Sequence, residues 1–487
     1  MRRSAAAGYD GIVLAESGRP PEETGLAERV ERIRRVAKDL ALDIIPAVFP
    51  IGDSRRLLAR DPNLAEGLPV RDALFVVRGG VAELEPDPPV RLHGGSLEDF
   101  SRWDGHDRNV EVNRDAARID ANRGEGRLSC VLRVHRFRQY HIAVEVKTEG
   151  LEGVPKVVAV GRGRPLNFDD LGIGGSQDWT RVHAVFNSLD YDEVALYLTC
   201  SHCRSGTLLW RDPRIEEVGL LNVVRRSGAP LQVRRERGGQ LREGTDFENV
   251  VDPRMGAVPS PGRYERWHEP PKIRVHGFAD GTRLRVSYYH AVTFGHGKVM
   301  ICPSEPRTVE LLREEARRAH ELWRPKSYFM GHDEVRALGW DESCARRRIG
   351  PDAILADNVR VCRRILRKID PAATVYVWSD MFDPNHNARR DYYLVNGDLR
   401  GAWNGLDRDV VVVLWDLAKR TQSLAWFASR RQPMLIAGYY DQDPSLVRSW
   451  LDSAKDVPGV EGVMYTTWLN RYDDLERFAA VIDAGTP

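Results

Sequence analysis

From residue 300 onward, short apolar runs alternate with stretches whose apolar residues recur every three or four positions. That alternation leaves few choices of fold. Val309, Leu312, Ala316, Ala319 and Trp323 form one apolar stripe and predict a helix over 308–323. The run 328–334 follows as a strand. Ile354, Val359, Cys362 and Ile365 predict a helix over 352–368. Strands are then expected at 374–380, 410–416, 434–440 and 462–468, with helices around 418–430 and 445–455. Strands separated by helices pair in parallel, and burial on both faces makes each read as a nearly unbroken apolar run. The N-terminal segment has the same grammar: a strand at 11–16, a helix at 22–40 carrying Leu26, Val30, Ile33 and Ala37, and a strand at 43–50.

Between these parts the pattern changes. Runs at 127–134, 140–147, 156–160, 180–187 and 193–199 are short, alternating or apolar, and broken by Gly, Asp and Asn. That is the grammar of a β-sandwich or jelly roll. The predicted fold is therefore α/β: a (β/α)8 TIM barrel interrupted by a β-sandwich insert. Residues 1–55 are the first part of the barrel and 90–225 the insert. Residues 226–299 are a β-rich connection, and 300–487 are the rest of the barrel. Two barrel strands precede the insert and five follow it. The run 283–290 is either an eighth barrel strand, with Tyr288, Tyr289 and His290 lining the site, or the last strand of the insert. In the second case the first barrel strand is missing and the native chain begins before Met1. The start carries two arginines but no apolar core of leader length.

With 487 residues the chain is too long for one ordinary domain. A net charge of +1 argues against a nucleic-acid or membrane surface held by bulk charge. No run approaches the roughly 18 apolar residues of a membrane span. The six cysteines are irregularly spaced, and Cys200-x-x-Cys203 has neither a second pair nor a histidine pair near it. Ordinary buried thiols are expected, with no metal and no organic cofactor.

The chemistry concentrates at Asp333-Glu334. Adjacent strand residues face opposite sides, so these two carboxylates converge on one ligand only where the strand ends and the backbone turns. Barrel enzymes hold their catalytic groups at such strand ends. A carboxylate pair there points to acid/base work on a polar substrate, most often a sugar.

The run Phe329-Met330-Gly331-His332-Asp333-Glu334 resembles the fourth-strand motif of glycoside hydrolase family 20, the β-N-acetylhexosaminidase family, with His332 in place of a glycine. Pro306-Arg307-Thr308 and Ile44-Ile45-Pro46-Ala47-Val48 resemble the approach to that strand and the third strand. Trp378, Trp415 and Trp468 fall where the family builds a tryptophan box round one sugar, and Tyr439-Tyr440-Asp441 matches its Tyr-x-Asp. The resemblance covers about 1–55 and 300–487. It implies an exo-acting glycosidase for terminal β-linked sugars, working by substrate-assisted retention. Glu334 would be the general acid/base. Asp333 would hold the N–H of the sugar's 2-acetamido group, Tyr439 would bind its carbonyl oxygen, and Asp441 would bind a hydroxyl. Asp380, His332 and Glu16 are further candidates for contact with a carbohydrate substrate.

The chain departs from the family in three places. No counterpart exists for the first-strand arginine; the third-strand end, 49–53, lacks the histidine; and Asn470 stands where the family has a glutamate. Two other readings therefore stay open. One is a retaining glycosidase for sugars without an acetamido group, using Asp380, Asp416 or Asp441 as nucleophile. The other is a non-catalytic glycan-binding protein on a decayed barrel. Within the insert, 179–187 and 206–218 resemble carbohydrate-binding jelly-roll modules, which bind glycan or serve as spacers.

Overall fold

The computed structural model describes residues 1–15, 25–92, 99–168 and 170–484. Among these, two compact units appear. One comprises 1–57, 300–339 and 347–487; the other comprises 58–299 and 340–346.

The first unit is built on seven parallel strands in the order Gly11–Leu14, Asp43–Val48, Ser327–Met330, Thr374–Trp378, Val410–Leu414, Met434–Ala437 and Val460–Met464. Every neighbouring pair is parallel. Crossing helices make this possible. Pro306–Trp323 begins on a proline, whose missing N–H costs nothing in a first turn. It buries Leu311, Leu312, Ala316 and Ala319 on one face. Pro351–Ile369 repeats the design with Ile354, Leu355, Val359, Cys362 and Leu366. The central strands Ser327–Met330 and Val410–Leu414 are buried throughout.

One face of the sheet carries an apolar cluster. Val13, Ile45, Phe329, Tyr376, Val413, Ala437 and Met464, one from each strand, belong to a single apolar cluster. The sheet is not the closed eight-stranded barrel expected: among the described residues no ladder joins Gly11–Leu14 to Val460–Met464. The run 283–290 does not fill that place. Arg283–His290 pairs antiparallel with Leu68–Arg78 in the second unit, and Tyr288 and His290 are buried there. They line no barrel site.

The second unit holds two antiparallel sheets. A nine-stranded sheet carries the stretch likened to a jelly roll, with Gln139–Gly161 and Glu193–Val218 as its long strands. Residues 226–299 are more than a connection: with 68–84 and Val223–Val224 they form a six-stranded sheet over its own core of Val70, Phe75, Val77, Leu284 and Val286. The thiol expectation fails at one pair, because Cys200 and Cys203 are disulfide-bonded. The opposing residue makes room, since a Cβ on Gly153 would lie 2.7 and 2.8 Å from the two sulfurs. Cys130, Cys302, Cys344 and Cys362 are buried and outside any disulfide. No helix among the described residues is long and apolar enough to cross a membrane.

Candidate active site

Most of the predicted residues sit at the C-terminal ends of the parallel strands of the first unit or on the loops that follow them. The strand Ser327–Met330 runs into Gly331, whose N–H donates to Val48 O at 2.8 Å and whose carbonyl accepts from Ile51 N–H at 2.7 Å. The two strand ends thus turn together. Gly52 is pressed against the second turn: a Cβ there would lie 1.6 Å from the Asp333 carbonyl oxygen. Upstream, Phe49 has φ of 59° and gives its N–H to Glu315 at 2.8 Å.

Glu334 has φ of 49°, a left-handed backbone that a non-glycine residue adopts at a cost. Its N–H donates to Asp380 Oδ2 at 2.9 Å. Its side chain is 29 % exposed and pairs with the Arg336 guanidinium. Arg336 in turn lies over the Tyr393 ring at 5.3 Å. The two loops involved are tied by a short parallel ladder, Ala337–Leu338 with Leu394–Val395. Asp333 is half-buried beside Glu334.

Asp380 opens the 3-10 turn Asp380–Phe382 directly after Thr374–Trp378. It is fully buried. Its Oδ2 also accepts from Asn387 Nδ2 at 2.8 Å. Burial pushes this carboxyl up to about 6, against the pull of the Glu334 backbone N–H, the Asn387 amide and the Trp415 indole, and the Glu334 charge adds to the rise.

The tryptophans form a wall on the same side. Trp378 meets Phe329 edge-on at 4.9 Å. Trp415 contacts His386 at 4.5 Å and Trp468 at 6.2 Å. Trp468 stacks on Tyr440 at 5.9 Å and is 51 % exposed, next to exposed Leu469 and Tyr472. Trp378 and Trp415 are half-buried, which suits a ring face offered to a ligand.

Other expected residues are engaged elsewhere. Asp441 takes the N–H groups of Trp468 at 2.8 Å and Leu469 at 3.1 Å on one oxygen and the Thr467 hydroxyl on the other. In this arrangement it braces the loop that carries Trp468. Tyr439 is buried, stacks on Tyr465 at 4.1 Å and donates its hydroxyl to Asp474 at 3.1 Å. His332 is fully buried and meets Asn358 Oδ1 through Nε2 at 2.9 Å, facing helix Pro351–Ile369. Burial holds its pKa down to about 4, so the ring is neutral. Asp416 caps its own loop through Oδ1, bound to Ala418 N–H at 2.9 Å, and its other oxygen lies 3.8 Å from His386 Nε2. Glu16 lies outside the described residues.

Arg336, His386, Asn387 and Tyr393 were not anticipated. Arg336, two residues past the acid, was visible as the only cation in its run. The others lie on the long loop after Thr374–Trp378, where no periodicity marks them.

No family model matches this chain, and no curated protein matches it. Several solved structures are loosely similar. An exo-β-N-acetylglucosaminidase of glycoside hydrolase family 20 from Vibrio harveyi shares 6% identity over 65% of this chain and 80% of its own, with a TM-score of 0.25. An exo-β-agarase shares 8% over 80% and 93%, with a TM-score of 0.23. A family 4 carbohydrate-binding module shares 12% over 26% of this chain and 85% of its own, with a TM-score of 0.19. Likenesses this loose set neither the fold nor the activity of this chain.

Proposed function

We propose that the chain is a carbohydrate-active enzyme, a glycosidase that removes a terminal β-linked sugar, with an N-acetylhexosaminide as the preferred substrate. The observation that carries this is Glu334: a part-exposed carboxyl at a strand end, on a left-handed backbone, with Trp378, Trp415 and Trp468 on neighbouring strand ends. Glu334 protonates the leaving oxygen and later activates water. Asp333 orients the 2-acetamido group, whose carbonyl oxygen attacks the anomeric carbon. Arg336 pairs with Glu334 once it is ionised, and its release accompanies reprotonation. The tryptophan wall takes the apolar face of the sugar ring.

The strand-end carboxylates favour attack by the substrate's own group. Asp380 is fully buried, and both oxygens of Asp441 are occupied. Asp416 alone keeps an oxygen half free, and it carries the rival reading with a protein nucleophile. A thiazoline analogue of the acetamido intermediate separates the two: micromolar inhibition supports substrate assistance, and no binding favours Asp416.

Glu334→Gln is expected to lower kcat on an aryl N-acetyl-β-glucosaminide by about 10²–10⁴-fold, the range for a lost general acid. Circular dichroism should remain that of the wild type. Unchanged turnover in the variant removes Glu334 from the role. Absence of turnover in the wild type across a panel of aryl glycosides, with glycan binding retained, favours a non-catalytic binding protein.

A further inference from the structure

We propose that Asp380 is a positioning residue for Glu334: its buried carboxylate fixes the left-handed backbone of the acid and so aims the acid's side chain. The inference rests on the reading of Glu334 as the proton donor.

The geometry supports it at three points. A left-handed backbone at a non-glycine residue costs of order 1 kcal/mol or more and persists only where neighbours hold it. Glu334 adopts it at φ of 49°, and Asp380 Oδ2 accepts the N–H of that residue at 2.9 Å. Second, Asp380 is itself held. Asn387 Nδ2 donates to the same oxygen at 2.8 Å, and Asn387 N–H donates to the Asp380 carbonyl at 3.0 Å. The loop 380–387 is thus closed round this carboxylate. Third, Asp380 is fully buried. Burying a carboxylate is costly, and the hydrogen bonds that offset the cost here come from the Glu334 backbone and from Asn387 on its own loop.

Two consequences separate positioning from a merely structural role. Loss of the clamp lets the Glu334 carboxyl wander, which lowers kcat more than it raises KM, since misplacement by about 1 Å costs up to about 10²-fold. The clamp also weakens as Asp380 takes a proton, because a neutral carboxyl accepts an N–H less strongly than an anion. The acid limb of the kcat profile should then contain an ionisation that Asp380→Asn lacks.

The test is a cycle of Asp380→Asn, Glu334→Gln and the double variant on an aryl N-acetyl-β-glucosaminide, with pH profiles. Expected are a fall in kcat of about 10–100-fold for Asp380→Asn, KM within about threefold of the wild type, loss of one ionisation from the acid limb, and a double variant no slower than Glu334→Gln. A kcat within twofold of the wild type, a loss confined to KM, or additive losses overturn the proposal. Asn387→Ser leaves Asp380 in place and loosens it; about a three- to tenfold fall in kcat is expected, and no fall counts against the clamp. Residue-resolved hydrogen exchange at the Glu334 amide reads the clamp apart from activity. Protection lost in Asp380→Asn supports it, and protection unchanged overturns it. If the wild type hydrolyses nothing, the glycosidase reading fails while the exchange result still decides whether Asp380 holds the loop.

Discussion

At the residue scale, the chain shows how two carboxylates and a histidine side by side are sorted by their surroundings. Asp333 and Glu334 stand at the turn, while His332 is withdrawn into the helix layer against Asn358. The pair was legible because a strand that ends in two acids can present them only at its mouth. The fate of His332 was not, because its partner lies 26 residues on, within the apolar stripe of a helix. The burial of His332 has a pH signature. Its folded pKa, about 4, lies below the ordinary 6.5, so the unfolded chain takes up the proton first as pH falls. Its contribution is intact above pH 6.5 and is lost as pH drops toward 4, by on the order of 3 kcal/mol in all. His332→Gln keeps a donor for Asn358 and does not titrate. Urea unfolding at pH 7 and pH 4.5 should therefore show a smaller loss of stability for the variant than for the wild type. Equal losses would mean that His332 carries its proton inside the fold.

At the element scale, the strand ends matter more than the strands. Each of the seven strands of the parallel sheet has an expected counterpart, because burial on both faces leaves a run of apolar residues that no turn interrupts, and each ends two to four residues before its expected end. The second sheet of the other unit was harder to see. Leu68–Arg78 pairs with Arg283–His290 across some two hundred residues, and no local pattern reports a partner so distant. Gly52 was likewise invisible: its role is to let the loop after Asp43–Val48 touch the Asp333 carbonyl. Gly52→Ala must push that turn away. An overpacked contact of this kind costs about 1–3 kcal/mol, and the displacement falls on the acid next door. Expected are a melting temperature lowered by several degrees and a kcat lowered by more than tenfold at 25 °C, where the variant is still folded. A folded variant with wild-type kcat would show that the 49–53 turn does not set the position of Asp333-Glu334.

At the scale of the whole molecule, the chain carries two bodies, each with its own core, and the candidate chemistry belongs to one of them. All the residues assigned to the acid, the clamp and the tryptophan wall lie in the unit of seven parallel strands. The other unit has aromatic rings of its own, with Trp267 stacked on His141 of the nine-stranded sheet at 3.5 Å and Trp179 under the Arg211 guanidinium at 4.0 Å. Each ring is thus already covered on one face. A ligand that mimics the bound acetamido sugar should therefore act on one body alone. A thiazoline at about 100 times its dissociation constant stabilises the folded site by about 2.7 kcal/mol. Hydrogen exchange is the suitable readout, because it resolves local stability that a single melting temperature averages. Slower exchange is expected in 331–338, 379–388 and 465–471, with 139–161 and 193–218 unchanged. Protection in the nine-stranded sheet would move the sugar site to the second unit and leave Glu334 without a substrate.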